Sequence, residues 1–232
     1  MENSITKAVQ APYGGDSFYR SPPPDLPSLL LKERIIYLGL PLVSPDEYKQ
    51  QLGVDVTELI IAQLLYLQYE DPDKAISIYI NSTGTSWYTG DAIGSETEAF
   101  AICDTLNYIK PPVHTICLGN AMGTAAMILS SGTKGCRASL PNASIVLHQA
   151  KRGTGYGQAT DIQIQAQEVL KNKQMILSIL SRNTGQPVER ISKDLDRKLY
   201  MTPQQAKEYG LIDRVLESSK ELPQALAAAV PA

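Results

Sequence analysis

The strongest constraint on the fold is an alternation of strand-like and helix-like segments that starts at Glu33. Short runs of β-branched and other apolar residues predict strands, and longer periodic segments between them predict helices. Strands are predicted at 34–38, 75–80, 113–118 and 144–147, and helices at 55–69, 96–109 and 122–131. This repeated order predicts an α/β layered fold with right-handed crossovers.

The second half of the chain predicts further elements. The longest helix should run over 159–182 and end before Gly185, because glycine readily adopts the left-handed conformation that stops a helix. Thr202 and Gln205 form a capping box ahead of a short helix. A final strand is predicted at 211–216 and a weak helical tail at 225–229.

One domain accounts for this pattern. We predict a flexible arm at 1–28, a folded domain at 29–217 and a tail at 218–232. The arm contains four closely spaced prolines, at 22, 23, 24 and 27, and proline disfavours both helix and central strand. With 232 residues, the chain can bury a sizeable core without disulfides or metals.

The charge balance and hydropathy exclude several classes of partner. The chain has 21 basic and 24 acidic residues, a net charge of −3, and no block of Lys and Arg. This balance argues against a nucleic-acid partner. No apolar run is long enough to cross a membrane, and the first residues lack the pattern of a secretory signal. We therefore expect a soluble protein that is used where it is made.

Cysteine and histidine are too few for the common metal sites. Two histidines exclude a multi-histidine centre. Three cysteines match no zinc spacing and are predicted to be reduced thiols of the core: Cys103, Cys117 and Cys136. Glycines at 153, 155 and 157 precede a helix but lack the spacing of a dinucleotide fingerprint. We expect no metal and no cofactor.

Three predicted strand ends are candidate sites of chemistry. His148 ends the strand 144–147, at the edge where open α/β sheets bind ligands, whereas His114 lies inside a strand and is predicted to be structural. The turn 119–124 joins a strand to a helix, as turns that hold a serine nucleophile do, but it contains no serine. The loop 81–85 follows a third strand. Close packing is the usual reason for small residues in such a turn, and the segment 81–85 taken alone is typical of an ordinary loop.

From Leu31 to about Val215 the chain resembles the proteolytic subunit of the Clp ATP-dependent protease, a serine peptidase family (S14) with the Clp/crotonase fold. The matching segments occur in family order at 31–36, 79–82, 115–119, 140–143, 148–149, 157–162 and 206–213. The resemblance implies repeated strand–helix units and a protruding "handle" helix that joins two rings. The handle positions are Gly157, Gln158, Ala159, Thr160 and Asp161.

The family carries a Ser-His-Asp triad, and two of its three members are replaced. Alignment from Gly119 without a gap puts Gly123 at the nucleophile position, while the family histidine falls on His148. The family aspartate falls on Lys198, and Asp194 and Asp196 are out of register. Glycine cannot form an acyl-enzyme, and a lysine cation would disfavour an imidazolium.

The substrate-binding side departs from the family as well. The family sequence Ser-Pro-Gly-Gly is replaced by Ser82-Thr83-Gly84-Thr85, so the resemblance implies only a vestigial oxyanion and groove region at Gly84, Thr85 and Thr124. Extra residues between Ser86 and Asp104 include Trp87, the chain's single tryptophan. A longer loop beside the groove is expected to obstruct or remodel it.

These departures resemble the catalytically deficient ClpR-type paralogues, which assemble with active Clp subunits into mixed heptameric rings. The family's docking pocket for an AAA+ unfoldase keeps an aromatic at Tyr79 but has Ser77 and Ala138 where aromatics are common. Unfoldase docking is therefore expected to be weak or indirect.

The resulting hypothesis is a non-catalytic structural and regulatory subunit of a Clp core, in the cytosol of a photosynthetic prokaryote or in the plastid stroma. One alternative is a residual peptidase in which Thr124 or Ser82 is a displaced nucleophile and His148 the base. Another is a crotonase-like acyl-CoA enzyme on the related fold.

Overall fold

The computed structural model describes residues 25–43, 56–89, 91–149 and 157–218. Seven helices lie within these ranges: α1 (Leu26–Lys32), α2 (Val56–Glu70), α3 (Glu96–Tyr108), α4 (Thr124–Ser130), α5 (Ala159–Thr184), α6 (Val188–Leu195) and α7 (Pro203–Tyr209). Seven strands lie there too: β1 (Ile35–Leu38), β2 (Ile76–Ser82), β3 (Val113–Met122), β4 (Arg137–Ser139), β5 (Ser144–Leu147), β6 (Leu199–Met201) and β7 (Arg214–Val215). The predicted α/β class is confirmed.

The described strands form one sheet centred on β3. The order is β1-β2-β3-β4-β7, and every pair along this path is parallel. β5 pairs in parallel with the last three residues of β3, and β6 joins β5 in the antiparallel sense. The carboxyl ends of β2, β3 and β5 consequently lie at one region of the sheet.

Helix α4 lies in the centre of the molecule. All seven of its residues are buried, and it packs on β3, α3 and α5. Ala125 and Ala126, both fully buried, present little side chain, so the helix can approach the strands closely. A helix without an exposed face has little freedom to shift, which fixes the position of the turn that precedes it.

Most of the predicted elements are confirmed, but the arm boundary is not. Helix α1 begins at Leu26, inside the segment 1–28 that was predicted to be extended. Pro27 occupies the first helical turn, where the amide N–H that proline lacks would have no helical partner anyway. The proline therefore starts a helix instead of preventing one. The rest of the arm, 1–24, lies outside the described residues.

The prediction of a final strand at 211–216 is wrong over most of its length. Only Arg214–Val215 pairs, with β4, because Leu211 still belongs to the end of α7 and donates its N–H to the Ala206 carbonyl (2.9 Å). Besides α1, three further elements were missed: β4, α6 and β6. The tail at 225–229 and the glycines at 153 and 155 lie outside the described residues.

Helix α5 protrudes from the domain, as predicted. Residues 159–167 are exposed on every side, and burial becomes substantial only from Asn172 onward. The free half carries the apolar side chains of Ile162 and Ile164, which are 46% and 64% exposed. Within the described residues, no helix is long and apolar enough to span a membrane.

The cysteines follow the prediction with one exception. Cys103 and Cys117 are buried free thiols, and burial raises the pKa of each to about 12. Cys136 is only half-buried. Thiols with such high pKa values remain protonated near neutral pH and are poor nucleophiles. Cys103 and Cys117 are therefore packing residues.

A buried ion pair joins β4 to the residue that precedes β7. Arg137 of β4 binds both carboxylate oxygens of Asp213, with Nε–Oδ2 and Nη2–Oδ1 distances of 2.9 and 2.6 Å. The other guanidinium nitrogen donates to the carbonyls of Ser130 and Asn183. Burial by itself would raise the pKa of Asp213, but the hydrogen bonds from Arg137 and from the Gly135 N–H hold this pKa below its usual value.

Replacing Asp213 by Asn should lower the free energy of unfolding by about 3 kcal/mol at pH 7, since it leaves a buried guanidinium without its counter-charge. The native pKa of the carboxyl is depressed, so its stabilisation is complete above the unfolded pKa, about 3.9, and is lost as pH falls below it. Urea unfolding at pH 7 and at acidic pH measures both effects. The exposed Asp73→Asn is the control; equal effects of the two substitutions would contradict the prediction.

Candidate active site

The candidate site lies where β2, β3 and β5 end. Gly123 follows β3 and precedes α4, His148 follows β5, and the loop beginning at Ser82 follows β2. The Gly123 N–H donates to the Val146 carbonyl at 2.8 Å, which ties the turn to β5. Parallel strand ends of this kind are the usual ligand edge of an α/β sheet. The fold thus brings together the residues that the sequence predicted for this site.

Gly123 retains an unusual backbone, with φ of 53° and ψ of −111°, a conformation that L side chains rarely adopt. A Cβ at this position would overlap the His148 ring, at 2.6 Å from Cε1 and 3.1 Å from Cδ2. The imidazole therefore occupies the space that a nucleophilic side chain would require. The position that was predicted to lack the nucleophile is thus filled by the His148 ring.

Both ring nitrogens of His148 have a hydrogen-bond partner. Nδ1 lies 2.9 Å from the Gln149 carbonyl, which only accepts, so Nδ1 carries the proton. Nε2 lies 3.2 Å from Ser86 Oγ. Ser86 is buried and also lies 3.3 Å from the Thr83 carbonyl. The second ring nitrogen of the histidine thus faces a serine from the loop after β2.

The oxyanion region is internally satisfied. The Thr85 N–H donates to Thr124 Oγ1 at 2.9 Å, and the two hydroxyl oxygens are 3.2 Å apart. Gly84 has a φ of +66°, and a Cβ there would overlap the same Thr124 hydroxyl. An oxyanion hole needs donors that are aimed at an incoming oxygen. Here the Thr85 donor already has an acceptor within the protein.

The ammonium group of Lys198 is hydrogen-bonded to the backbone of the loop after β2. Nζ donates to the carbonyl oxygens of Tyr88 and Thr89, both at 3.2 Å. The two neighbouring aspartates are also engaged elsewhere: Asp196 accepts a hydrogen bond from the Gln149 side chain, and Asp194 accepts one from the Tyr209 hydroxyl. The residue that the family resemblance assigns to the acid position is therefore a lysine that binds backbone carbonyls.

The space beside His148 is very small. Its cavity, bordered by Ser86, Gly123 and Thr124, measures about 10 Å³. This is about the room needed for the centre of a single water molecule. No peptide side chain fits there without movement of the loop after β2.

Comparison with known proteins gives one consistent result. The profile of the Clp protease family matches residues 24–219. An ATP-dependent Clp protease proteolytic subunit-like protein of Synechocystis is 73% identical over 220 residues, which cover 95% of this chain and 97% of that protein. The chain belongs to the Clp protease family. This membership agrees with the predicted resemblance and not with the crotonase-like alternative.

This chain is also similar to two further relatives from the Clp family. The ATP-dependent Clp protease proteolytic subunit 2 of Gloeobacter violaceus is 51% identical, over 91% of this chain and 89% of that protein. The chloroplastic Clp protease proteolytic subunit-related protein 3 of Arabidopsis thaliana is 45% identical, over 87% of this chain and 58% of that protein. The likeness thus extends both to a protein named as a proteolytic subunit and to one named only as related to such subunits.

The displaced nucleophiles considered from the sequence are both engaged away from His148. Ser82 Oγ donates to the Leu40 carbonyl (2.7 Å) and accepts from the Gly84 N–H (3.0 Å), and the Thr124 hydroxyl contacts Thr85. Sequence reasoning missed Ser86, the hydroxyl that does lie beside the histidine. No motif marks it, because only the bend of the loop brings it to β5.

A second cavity lies beside Tyr79, where the family resemblance predicts a docking pocket. A cavity of about 190 Å³ is lined by Tyr79, Ile116, Leu118, Leu140, Leu216, Glu217 and Ser218. Tyr79 borders it, as predicted, whereas Ser77 and Ala138 are buried and do not line it. The cavity is lined mainly by aliphatic side chains. Weak or indirect docking of an unfoldase stays a prediction.

The remaining predicted positions lie at the start of α5 and within β3. Gly157 and Gln158 precede α5, and Ala159, Thr160 and Asp161 form its exposed first turn. His114 is buried in β3, and within the described residues its Nδ1 lacks a hydrogen-bond partner. Burial, together with Arg214, lowers the pKa of His114. In the described ranges, no cluster of three His, Cys, Asp or Glu side chains suited to a metal ion occurs.

Replacing Gly123 by Ala should lower the free energy of unfolding by about 2 kcal/mol, partly through backbone strain and partly through overlap with His148. In a His148→Ala background the overlap is removed, so the same change should cost distinctly less. Gly135→Ala isolates the backbone contribution, since Gly135 has a φ of +90° with open space around it. Urea unfolding of the double-mutant cycle measures the coupling; an equal cost in both backgrounds would contradict the packing argument.

Proposed function

We propose that this chain is a non-catalytic structural and regulatory subunit of an ATP-dependent Clp protease core. The observation that carries the proposal is the geometry at Gly123, where the family's nucleophile position has no side chain and the His148 ring takes up its space. Loss of the serine of a triad costs on the order of 10⁶ in turnover in another serine protease. A ring that includes this chain would hold fewer active sites.

Assembly with active paralogues is supported by surfaces that a lone subunit has no reason to keep. The free half of α5 exposes Ile162 and Ile164 well away from the core. Exposed apolar side chains on a protruding helix are typical of a contact surface. We propose that α5 is the handle between two stacked rings and that the rings are mixed heptamers containing an active Clp proteolytic subunit.

The names of the relatives support the proposed setting. Synechocystis and Gloeobacter supply relatives named as Clp proteolytic subunits or subunit-like, and the Arabidopsis relative is named chloroplastic. We place this subunit in the cytosol of a photosynthetic prokaryote, or in the plastid stroma. An AAA+ unfoldase would engage the ring mainly through the active subunits. Ser77 and Ala138 stand where aromatic residues are common in the family, so Tyr79 is without the aromatic neighbours that would strengthen docking.

A second candidate function rests on the contact of Ser86 Oγ with His148 Nε2 at 3.2 Å. A serine beside a histidine base is the minimal arrangement for acyl transfer. Two observations weigh against it: the Thr85 N–H is bonded to Thr124, and the adjacent cavity has room for about one water. This residual peptidase would need both to change.

One experiment separates the two functions. The tagged chain is purified from its host, treated with a fluorophosphonate probe and analysed by native mass spectrometry, with the labelled residues mapped afterwards. We expect a ring that contains an active paralogue, with probe on the paralogue's serine and none on this chain. Isolation of the chain as a monomer would contradict the assembly, and labelling that is lost in Ser86→Ala would establish the second candidate instead.

A further inference from the structure

The segment that is longer than in the family begins at Ser86 and forms a compact hairpin. Its described residues are 86–89 and 91–94, here called the inserted hairpin. Ser86 and Ala92 face each other in an antiparallel bridge, the Trp87 N–H donates to the Asp91 carbonyl at 2.9 Å, and the Ile93 N–H donates to the Thr85 carbonyl at 3.0 Å. These bonds make the hairpin a unit that is held or released as a whole.

The inserted hairpin is attached to the former catalytic site at two points. At its base, Ser86 Oγ lies 3.2 Å from Nε2 of His148. Nearer its tip, the carbonyl oxygens of Tyr88 and Thr89 both accept from Lys198 Nζ. The partners His148 and Lys198 are the family's base position and acid position, so both attachments use triad positions.

The chemistry at position 198 suits this attachment and excludes the family residue. A lysine ammonium has three donors and is bonded here to two carbonyl oxygens, and Lys198 is itself only half-exposed. An aspartate in the same place would set a carboxylate against carbonyl oxygens, which carry partial negative charge. The hairpin in its present position is therefore compatible with a donor at 198 and not with the triad's acid.

We propose that Ser86, His148 and Lys198 form a clasp that holds the inserted hairpin closed over the vacated site, so that two triad positions now keep the peptide groove shut. In this clasp Lys198 is a positioning residue that acts through the Tyr88 and Thr89 carbonyls. The inference goes beyond the proposed function, since the clasp lies within one chain and does not require ring assembly. It also gives a reason for a cationic donor, in place of a carboxylate, at the acid position.

Trp87 allows a direct test, because it is the chain's single tryptophan and lies between the two attachments. Its side chain is 46% exposed. Lys198→Met keeps the aliphatic stem and removes the donors, so acrylamide quenching of Trp87 fluorescence should rise by roughly twofold as the hairpin opens. Lys198→Arg retains donors and should stay near the original value. Lys207→Met, at an exposed position of helix α7, is the matched control and should leave quenching unchanged.

Hydrogen exchange distinguishes a clasp from a general loss of stability. In Lys198→Met, the protected amides of Trp87 and Ile93 should exchange faster while the amides of β3 keep their rates. Ser86→Ala should give the same local pattern, since it removes the other attachment. Unchanged Trp87 quenching in both variants would overturn the proposal, and so would faster exchange throughout the sheet.

Discussion

The pairing of β3 with three other strands is the constraint on which the rest of the structure depends. Its first half pairs with β2 and β4, and its last three residues pair with β5. This arrangement sets Gly123 and His148 at one edge and anchors the wholly buried helix α4 directly behind them. None of these contacts involves the side chain of a nucleophile. The fold at this edge therefore does not depend on the presence of a serine side chain at position 123.

Three local arrangements complete the closure of that edge. The His148 ring fills the space beside Gly123, the Thr124 hydroxyl occupies the Thr85 N–H, and Lys198 holds the inserted hairpin by its carbonyls. Each arrangement satisfies a polar group or fills a volume that a working active site would leave open to substrate. The site is thus a packed region of the protein and not an empty one.

The sequence allowed the large elements to be predicted, but not the contacts among them. The strands β2, β3 and β5 and the helix α5 follow from apolar runs and caps, whereas β4 and β6 have three residues each and give no periodic signal. Gly123 and Lys198 were located through the family resemblance. The contact of Lys198 with Tyr88 spans 110 residues of sequence, and only tertiary packing brings such partners together.

The most direct test of this account is peptide hydrolysis by the double variant Gly123→Ser with Lys198→Asp, assembled with the active paralogue in which the catalytic serine is replaced. The account predicts turnover close to that of the same complex with the unaltered chain, because the His148 ring still takes up the space of the new side chain and the Thr85 N–H is still bonded to Thr124, even where the loss of Lys198 releases the hairpin. Turnover comparable to that of an active Clp proteolytic subunit would contradict it, and would mean that only the triad residues had been lost.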